Sequence, residues 1–490
     1  MLKKEDFFSL KYPDDLLSII RYGLKKTGTS KSVMIIGGGL SGLVAASLLK
    51  QAGHQVTILE GNNRIGGRIL TIRQPFTPGN YLDVGAMRLP ENHALVFEYI
   101  KRFQLPLNEF INSTPQDLIF VNNVLTTRKV YEQNPDILQF PVAPEEKGKT
   151  AAELFLAATQ PFIDLYTKST PEEQEALKEE YADYSMGEYL QFNPLGPSLS
   201  VPAIRMISVM LGIEGFPEFS FIDILIDIVY PIFSKDLKFY EIQGGNDLLP
   251  LSFLPQLQEN IRYNQKVIQI TQNHNGVHVQ ARNPSTGKIS EYQGDYIITT
   301  VPYPVFQFID VHPYHSLSFE KWQAIRELIN VTAVKIGIEF KNRFWEKYGQ
   351  GNAISDLPTR FSYIPSHNIG SGGPGVLLAS YSWGDDATLW TSLSGNELVR
   401  TLLKDLAKVY GNVVYTEFLQ AVWFDWSENP YSAGCFTLFT PRQELEFAEV
   451  IRRPEGRIHF AGEHTSSFHG WIEGAIESGI RTAFEVNGRE

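Results

Sequence analysis

Cysteine is almost absent from this chain: one residue, Cys435, among 490. That excludes an intrachain disulfide framework and any cysteine-based metal cluster, and it suits a reducing compartment. Long apolar runs are missing as well. None reaches the ~18 residues a membrane helix needs, and residues 33–48, the nearest approach, are interrupted by glycine and serine. The opening MLKKEDFFSLKYPDD has no apolar core ahead of its acids, so no secretory signal is expected and a cytoplasmic location is the default. Without such a signal, the glycosylation-like triads Asn112-Ser113-Thr114 and Asn330-Val331-Thr332 carry no weight. No block of Lys/Arg stands against the net charge of −12, which argues against a nucleic-acid partner. Internal repeats and low-complexity tracts are also lacking.

What is present is ordinary globular chemistry. Hydrophobic residues make up 43% and charged residues 20% of a chain long enough for two or three domains. Residues 33–68 read VMIIGGGLSGLVAASLLKQAGHQVTILEGNNRIGGR. An apolar strand, Val33 to Ile36, runs into Gly37-x-Gly39-x-x-Gly42 and an Ala/Leu-rich helix; a second strand, Val56 to Leu59, ends on Glu60. Gly37 makes the tight turn, Gly39 lets the backbone approach a pyrophosphate, and Gly42 lets helix and sheet pack closely. The helix start, with Leu40 and Ser41, offers N–H groups and positive dipole to phosphates. Glu60, followed by Gly61, can accept hydrogen bonds from a ribose diol and would repel a 2′-phosphate, which disfavours NADP. Strand, turn, helix, second strand and terminal acid together predict a dinucleotide site.

Coarse patterning divides the remainder. Ser9 to Thr27 is amphipathic and predicts a helix. Residues 150–235 carry Ala, Leu and Glu at helical spacing and read as a helical insertion. From 261 to 300 the pattern is VIQI, VHVQA and YIITT with polar turns between, and YIITTVP resembles a strand that closes a nucleotide-binding sheet. A second β-rich stretch covers 331–440. The tail predicts a strand (IHFAG) and a long helix, with Gly462 and Glu463 between them and small residues Gly474, Ala475 and Gly479 permitting close helix packing. That helix start would aim positive dipole at an anionic group. The nucleotide-binding domain must then be discontinuous.

The extra Gly66-Gly67-Arg68 resembles the extension shared by glutathione-reductase-like flavoproteins, which implies FAD with Arg68 facing its phosphates. Over nearly the whole chain the sequence resembles the flavin amine oxidase superfamily and, within it, L-amino acid oxidases of the snake-venom type. The blocks that carry this are GAMRLPENHALVFEYIKRFQLPLNEF (85–110), SDLPTRFSYIPSHN (355–368), GDDA (384–387), FTLFTP (436–441) and HGWIEGAIESG (469–479). The implied fold class is α/β plus β: a discontinuous Rossmann-like FAD-binding domain of the glutathione-reductase type (31–70, 239–328, 446–490), a β-rich substrate-binding domain (71–128, 329–445) and a helical domain (129–238).

The resemblance also implies roles. Arg88 would clamp the substrate carboxylate with the Tyr381 hydroxyl as second donor, a task suited to a planar, permanently charged guanidinium; from the residue alone, an ordinary ion pair is the simpler reading. The Gly470 carbonyl would accept from the substrate amine, Trp471 would stand beside the reacting face, and Lys335 would hold a water near the flavin. Burial could lower the Lys335 pKa, although the strand alone is equally consistent with a solvent-facing or half-buried lysine. Implied cofactor contacts are Gly85, Ala86, Met87, Arg88, Val267, Trp426, Gly462, Glu463, Gly470, Trp471 and Ile472. No matched cysteine or histidine argues for a covalent flavin link.

Departures from the family pattern matter too. Where the venom enzymes place a histidine, this chain has Val229, so the amine is expected to arrive neutral without a general base. Phe233 matches an aromatic of the same pocket. Trp383 and Phe436 replace aliphatic residues, implying a preference for aromatic or large hydrophobic side chains. Asp223 and Asp227 read first as a solvated helix face; turned inward, one could recruit a basic substrate. The expected reaction is oxidative deamination of an L-amino acid with O2, by hydride loss from Cα to flavin N5, in a protein without a metal and with homodimeric assembly. The alternatives are an oxidase for basic amino acids, amines or polyamines, an amino acid 2-monooxygenase, and a scaffold that holds FAD without turnover.

Overall fold

The computed structural model describes residues 10–212, 217–229 and 237–489. Its organising element is a five-stranded parallel sheet in the order Ile261–Arg262, Gln55–Leu59, Ser32–Ile36, Tyr296–Thr299, Ile458–Phe460. These strands come from the start, the middle and the tail of the chain. Their apolar runs are buried almost without interruption, as expected where helices cover both faces of a parallel sheet. On one face the helix Leu40–Ala52 packs against the C-terminal helix Ile472–Asn487. Glycines permit this helix contact and the tight turn that precedes the first helix. A Cβ on Gly479 would lie 2.5 Å from the Ser41 carbonyl oxygen, and one on Gly42 only 2.2 Å from that of Gly37.

Of the three strands expected between 261 and 300, only Tyr296–Thr299 joins this sheet. Lys266–Asn273 and Gly276–Arg282 instead build a separate four-stranded sheet with Ile289–Gly294 and Asp310–His312. The amphipathic prefix forms a shorter helix than expected, Asp14–Tyr22, which buries Leu16 and Ile20.

A mixed seven-stranded sheet follows the order Phe418–Asp425, Ala333–Phe340, Gly375–Trp383, Phe361–Tyr363, Ala353–Ser355, Leu118–Val121, Val124–Thr127. Its strand AVKIGIEF is buried at every residue. Val334, Ile336 and Ile338 face one apolar core, whereas Lys335, Gly337 and Glu339 face the 77–85 stretch. Lys335 is therefore neither at a solvent edge nor half-buried.

Helices Ala151–Lys168, Pro171–Tyr181, Met186–Gln191 and Val201–Leu211 form the insertion; the first three open on Thr or Ser capping boxes. Their core reaches the seven-stranded sheet through Ile119, Ile354 and Phe361. A π-helical turn, Asp223–Val229, completes the described part. Asp223 is fully buried, not solvated, because its carboxylate has backbone and imidazole partners described below. The Asp227 side chain and Phe233 lie outside the described residues.

Candidate active site

One cavity of about 1020 Å³ runs from the glycine turn to the seven-stranded sheet and the helical insertion. That is the upper end of small-molecule sites, about 300–1,000 Å³. At the nucleotide end its wall includes Gly37, Gly39, Leu40 and Ser41 from the turn, Glu60 and Gly61 after the second strand, and Val267. Gly42 is not on the wall; it lies behind the turn, against the Gly37 carbonyl. The Glu60 carboxylate accepts the Gly38 N–H at 2.6 Å and the Asn62 N–H at 2.7 Å. Burial still raises its pKa above the ordinary carboxylate value, against the pull of those two donors. An open glycine turn at a buried helix start, with an acid at the next strand end, is the donor and acceptor set that a dinucleotide requires.

Arg68 also lines the cavity and is anchored to the tail. Its Nη1 donates to Glu463 Oε2 at 2.7 Å and to the Cys435 carbonyl at 3.1 Å. This ties Nη1 to an acid 395 residues away in sequence while the side chain stays on the cavity wall. Glu463 Oε1 accepts the Gly470 N–H at 2.8 Å and the Thr437 N–H at 2.9 Å. Burial works against ionising this carboxyl, yet Arg68, His469 and the two backbone donors hold its pKa below the ordinary value. One carboxylate thus fixes the Gly462–Trp471 loop in relation to Arg68.

The other end of the cavity gathers Gly85, Ala86, Met87, Arg88, Val229, Tyr381, Trp383, Trp426, Phe436, Gly462, Glu463, Gly470, Trp471 and Ile472. Arg88 donates through Nη1 to Asn112 Oδ1 and lies 5.4 Å from the centre of the Phe239 ring. Tyr381 and Trp383 meet edge to face at 4.6 Å, and burial pushes the Tyr381 phenol well above its ordinary pKa. Phe436 packs over Gly470, within 3.4 Å of where a Cβ would stand. The Trp426 indole N–H donates to the Val84 carbonyl at 2.8 Å, which fixes that ring as a wall.

Lys335 does not reach the wall. Its ammonium donates to the carbonyls of Gly85 at 2.6 Å and Asp83 at 3.2 Å, and lies 4.4 Å from the centre of the Tyr381 ring. Burial lowers its pKa to about 8, with Cys435 and Asp83 pulling the other way. It braces the Gly85–Arg88 backbone from behind through these two carbonyls.

Sequence reasoning missed three contributors. Asn112, Arg88's partner, was visible only as part of a glycosylation-like triad. His469 and the cavity-lining His93 left no local pattern.

Comparison with known proteins identifies the family. Residues 40–487 match the flavin containing amine oxidoreductase family, and residues 3–73 match pyridine nucleotide-disulphide oxidoreductases. The chain is 48% identical to YobN of Bacillus subtilis (strain 168), provisionally named an L-amino-acid oxidase, over 97% of this chain and 98% of that one. It is 38% identical to the L-amino-acid oxidase of Siganus canaliculatus, over 97% of this chain and 88% of that one. Among solved structures, the cyclohexylamine oxidase of Brevibacterium oxydans IH-35A superposes with a TM-score of 0.74 at 19% identity, covering 94% of this chain and 99% of that one; that likeness concerns fold alone. The chain belongs to the flavin-containing amine oxidoreductase family.

Proposed function

We propose that this protein is an FAD-dependent L-amino acid oxidase acting on aromatic or large hydrophobic side chains. The observation that carries it is Arg88, anchored by Asn112 and sharing one cavity wall with Tyr381, Gly470 and Trp471, in the same cavity as the glycine turn. A guanidinium beside a phenol suits a carboxylate. The Gly470 carbonyl offers an acceptor for the amine, and Trp383, Phe436 and Val229 offer an aromatic and aliphatic surface for the side chain. We read the parallel sheet as the FAD-binding unit, the seven-stranded sheet as the substrate-binding unit and the helices as a separate insertion.

When bound, FAD supplies a two-electron acceptor whose electrons pass to O2. The chain's own contribution is positioning: Arg88 and Tyr381 hold one end of the substrate and Gly470 the other, which presents Cα in a fixed orientation. The balance is amino acid, O2 and water giving 2-oxo acid, ammonia and hydrogen peroxide. Val229 cannot accept a proton, and we take the neutral amine as the form that reacts. Asp223 gives no support to a basic substrate, since both its oxygens are engaged within the protein.

Anaerobic addition of L-phenylalanine or L-leucine should bleach the bound flavin, and Arg88→Ala should abolish bleaching by amino acids. Failure of every L-amino acid to reduce the flavin would sink the proposal, as would an Arg88→Ala variant with wild-type turnover.

A further inference from the structure

We propose that His93 is a cofactor-binding residue, whose imidazole Nε2 hydrogen-bonds to a neutral polar atom of the FAD in the cavity. The proposal rests on the cofactor reading above and extends it to a residue outside the glycine turn, the Arg68 loop and the tail.

His93 directly precedes the helix Ala94–Phe103, where a polar side chain ordinarily caps the helix N–H groups. It does not do so here. The Leu95 and Val96 N–H groups are taken instead by the two carboxylate oxygens of Glu473, at 2.9 and 3.0 Å. The local task of this position is therefore filled by another residue, and His93 lines the cavity together with Leu89, Ile472 and Ala475. Only 2% of His93 is exposed. Its ring is set edge-on against Trp471 at 5.2 Å and Phe468 at 6.0 Å, which fixes its direction. Nε2 is buried and has no hydrogen-bond partner among the described residues.

A buried polar nitrogen left unpaired costs about 1–3 kcal/mol; an occupant of the cavity that bonds to it removes this cost. Burial pushes the His93 pKa down to about 3, so the ring is neutral at physiological pH. A neutral imidazole suits a carbonyl, ring N–H or hydroxyl of the cofactor, and has no charge to offer a phosphate.

The test compares wild type, His93→Leu and His93→Gln as apoprotein and after FAD loading. FAD affinity is read by flavin fluorescence, the visible flavin spectrum is recorded, and both forms are melted. His93→Leu should bind FAD about tenfold more weakly, the loss of one hydrogen bond, with a displaced flavin band, while its apoprotein melts no lower than wild type. His93→Gln should recover affinity to within about threefold. Wild-type affinity and spectrum in His93→Leu overturn the proposal, as does an apoprotein destabilised as much as the loaded form, which would mark a purely structural role. Failure of the wild type itself to hold FAD overturns the cofactor reading, and this proposal with it.

Discussion

Asp223 and His469, 246 residues apart in the chain, meet with the carboxylate Oδ1 3.3 Å from the imidazole Nδ1. The second carboxylate oxygen accepts the Phe439 N–H at 2.8 Å. Both residues are essentially without solvent exposure, so the π-helical turn of the insertion is latched to the loop that carries Gly470 and Trp471. A buried acceptor serving two groups is costly to delete, because each is left without it.

Asp223→Ala should accordingly lower stability by about 2–4 kcal/mol. Urea unfolding of the FAD-loaded protein measures this, with protease susceptibility of the insertion as a second readout. A loss within about 0.5 kcal/mol, the usual range for surface substitutions, would show that the contact is not a latch.

Asn112 makes a different prediction. It holds Arg88 through its side-chain oxygen, so it positions that guanidinium. Asn112→Ala leaves the charge in place but loosens its geometry, which should raise KM about tenfold while kcat changes by less than about threefold. Asn112→Asp should raise KM further, because its carboxylate competes with the substrate's for Arg88. A fall in kcat with unchanged KM in either variant would place Asn112 outside substrate positioning.

Local features of this site were legible in the sequence and long-range ones were not. The turn Gly37-x-Gly39-x-x-Gly42, its flanking strands and Glu60 fall within 30 residues, where spacing alone dictates geometry. Arg88 became legible only through the resemblance, since an isolated arginine carries no such signal. The Arg68–Glu463 and Asp223–His469 contacts join segments hundreds of residues apart, and nothing in either segment names its partner. Strand pattern likewise showed that VIQI and VHVQA are extended but not which sheet they enter, because pairing is set by neighbours brought in from elsewhere. Lys335 was misjudged for the same reason: AVKIGIEF is covered on its second face by residues 77–85, which no feature of the strand itself announces.

That buried lysine leads to a prediction with a definite sign. Its pKa falls from 10.5 to about 8 in the folded protein. Below about 8 both folded and unfolded chains carry the proton, and the full cost of burying an ammonium is present. Between about 8 and 10.5 the unfolded chain binds more protons than the folded one, so stability contributed by this residue rises with pH. The neutral amine keeps two N–H groups for the Asp83 and Gly85 carbonyls, so the bracing survives deprotonation. Lys335→Met removes the titration and leaves the other groups in place. On moving from about pH 7 to about pH 10, the difference in unfolding free energy between wild type and Lys335→Met should shift in favour of the wild type by ~2.5 kcal/mol, nearly all of it above about pH 8, where the slope approaches about 1.4 kcal/mol per pH unit. Denaturant unfolding of both proteins at the two pH values tests this, and a difference that stays flat, or that shifts toward Lys335→Met, would mean that the ammonium is not held at a cost behind Gly85.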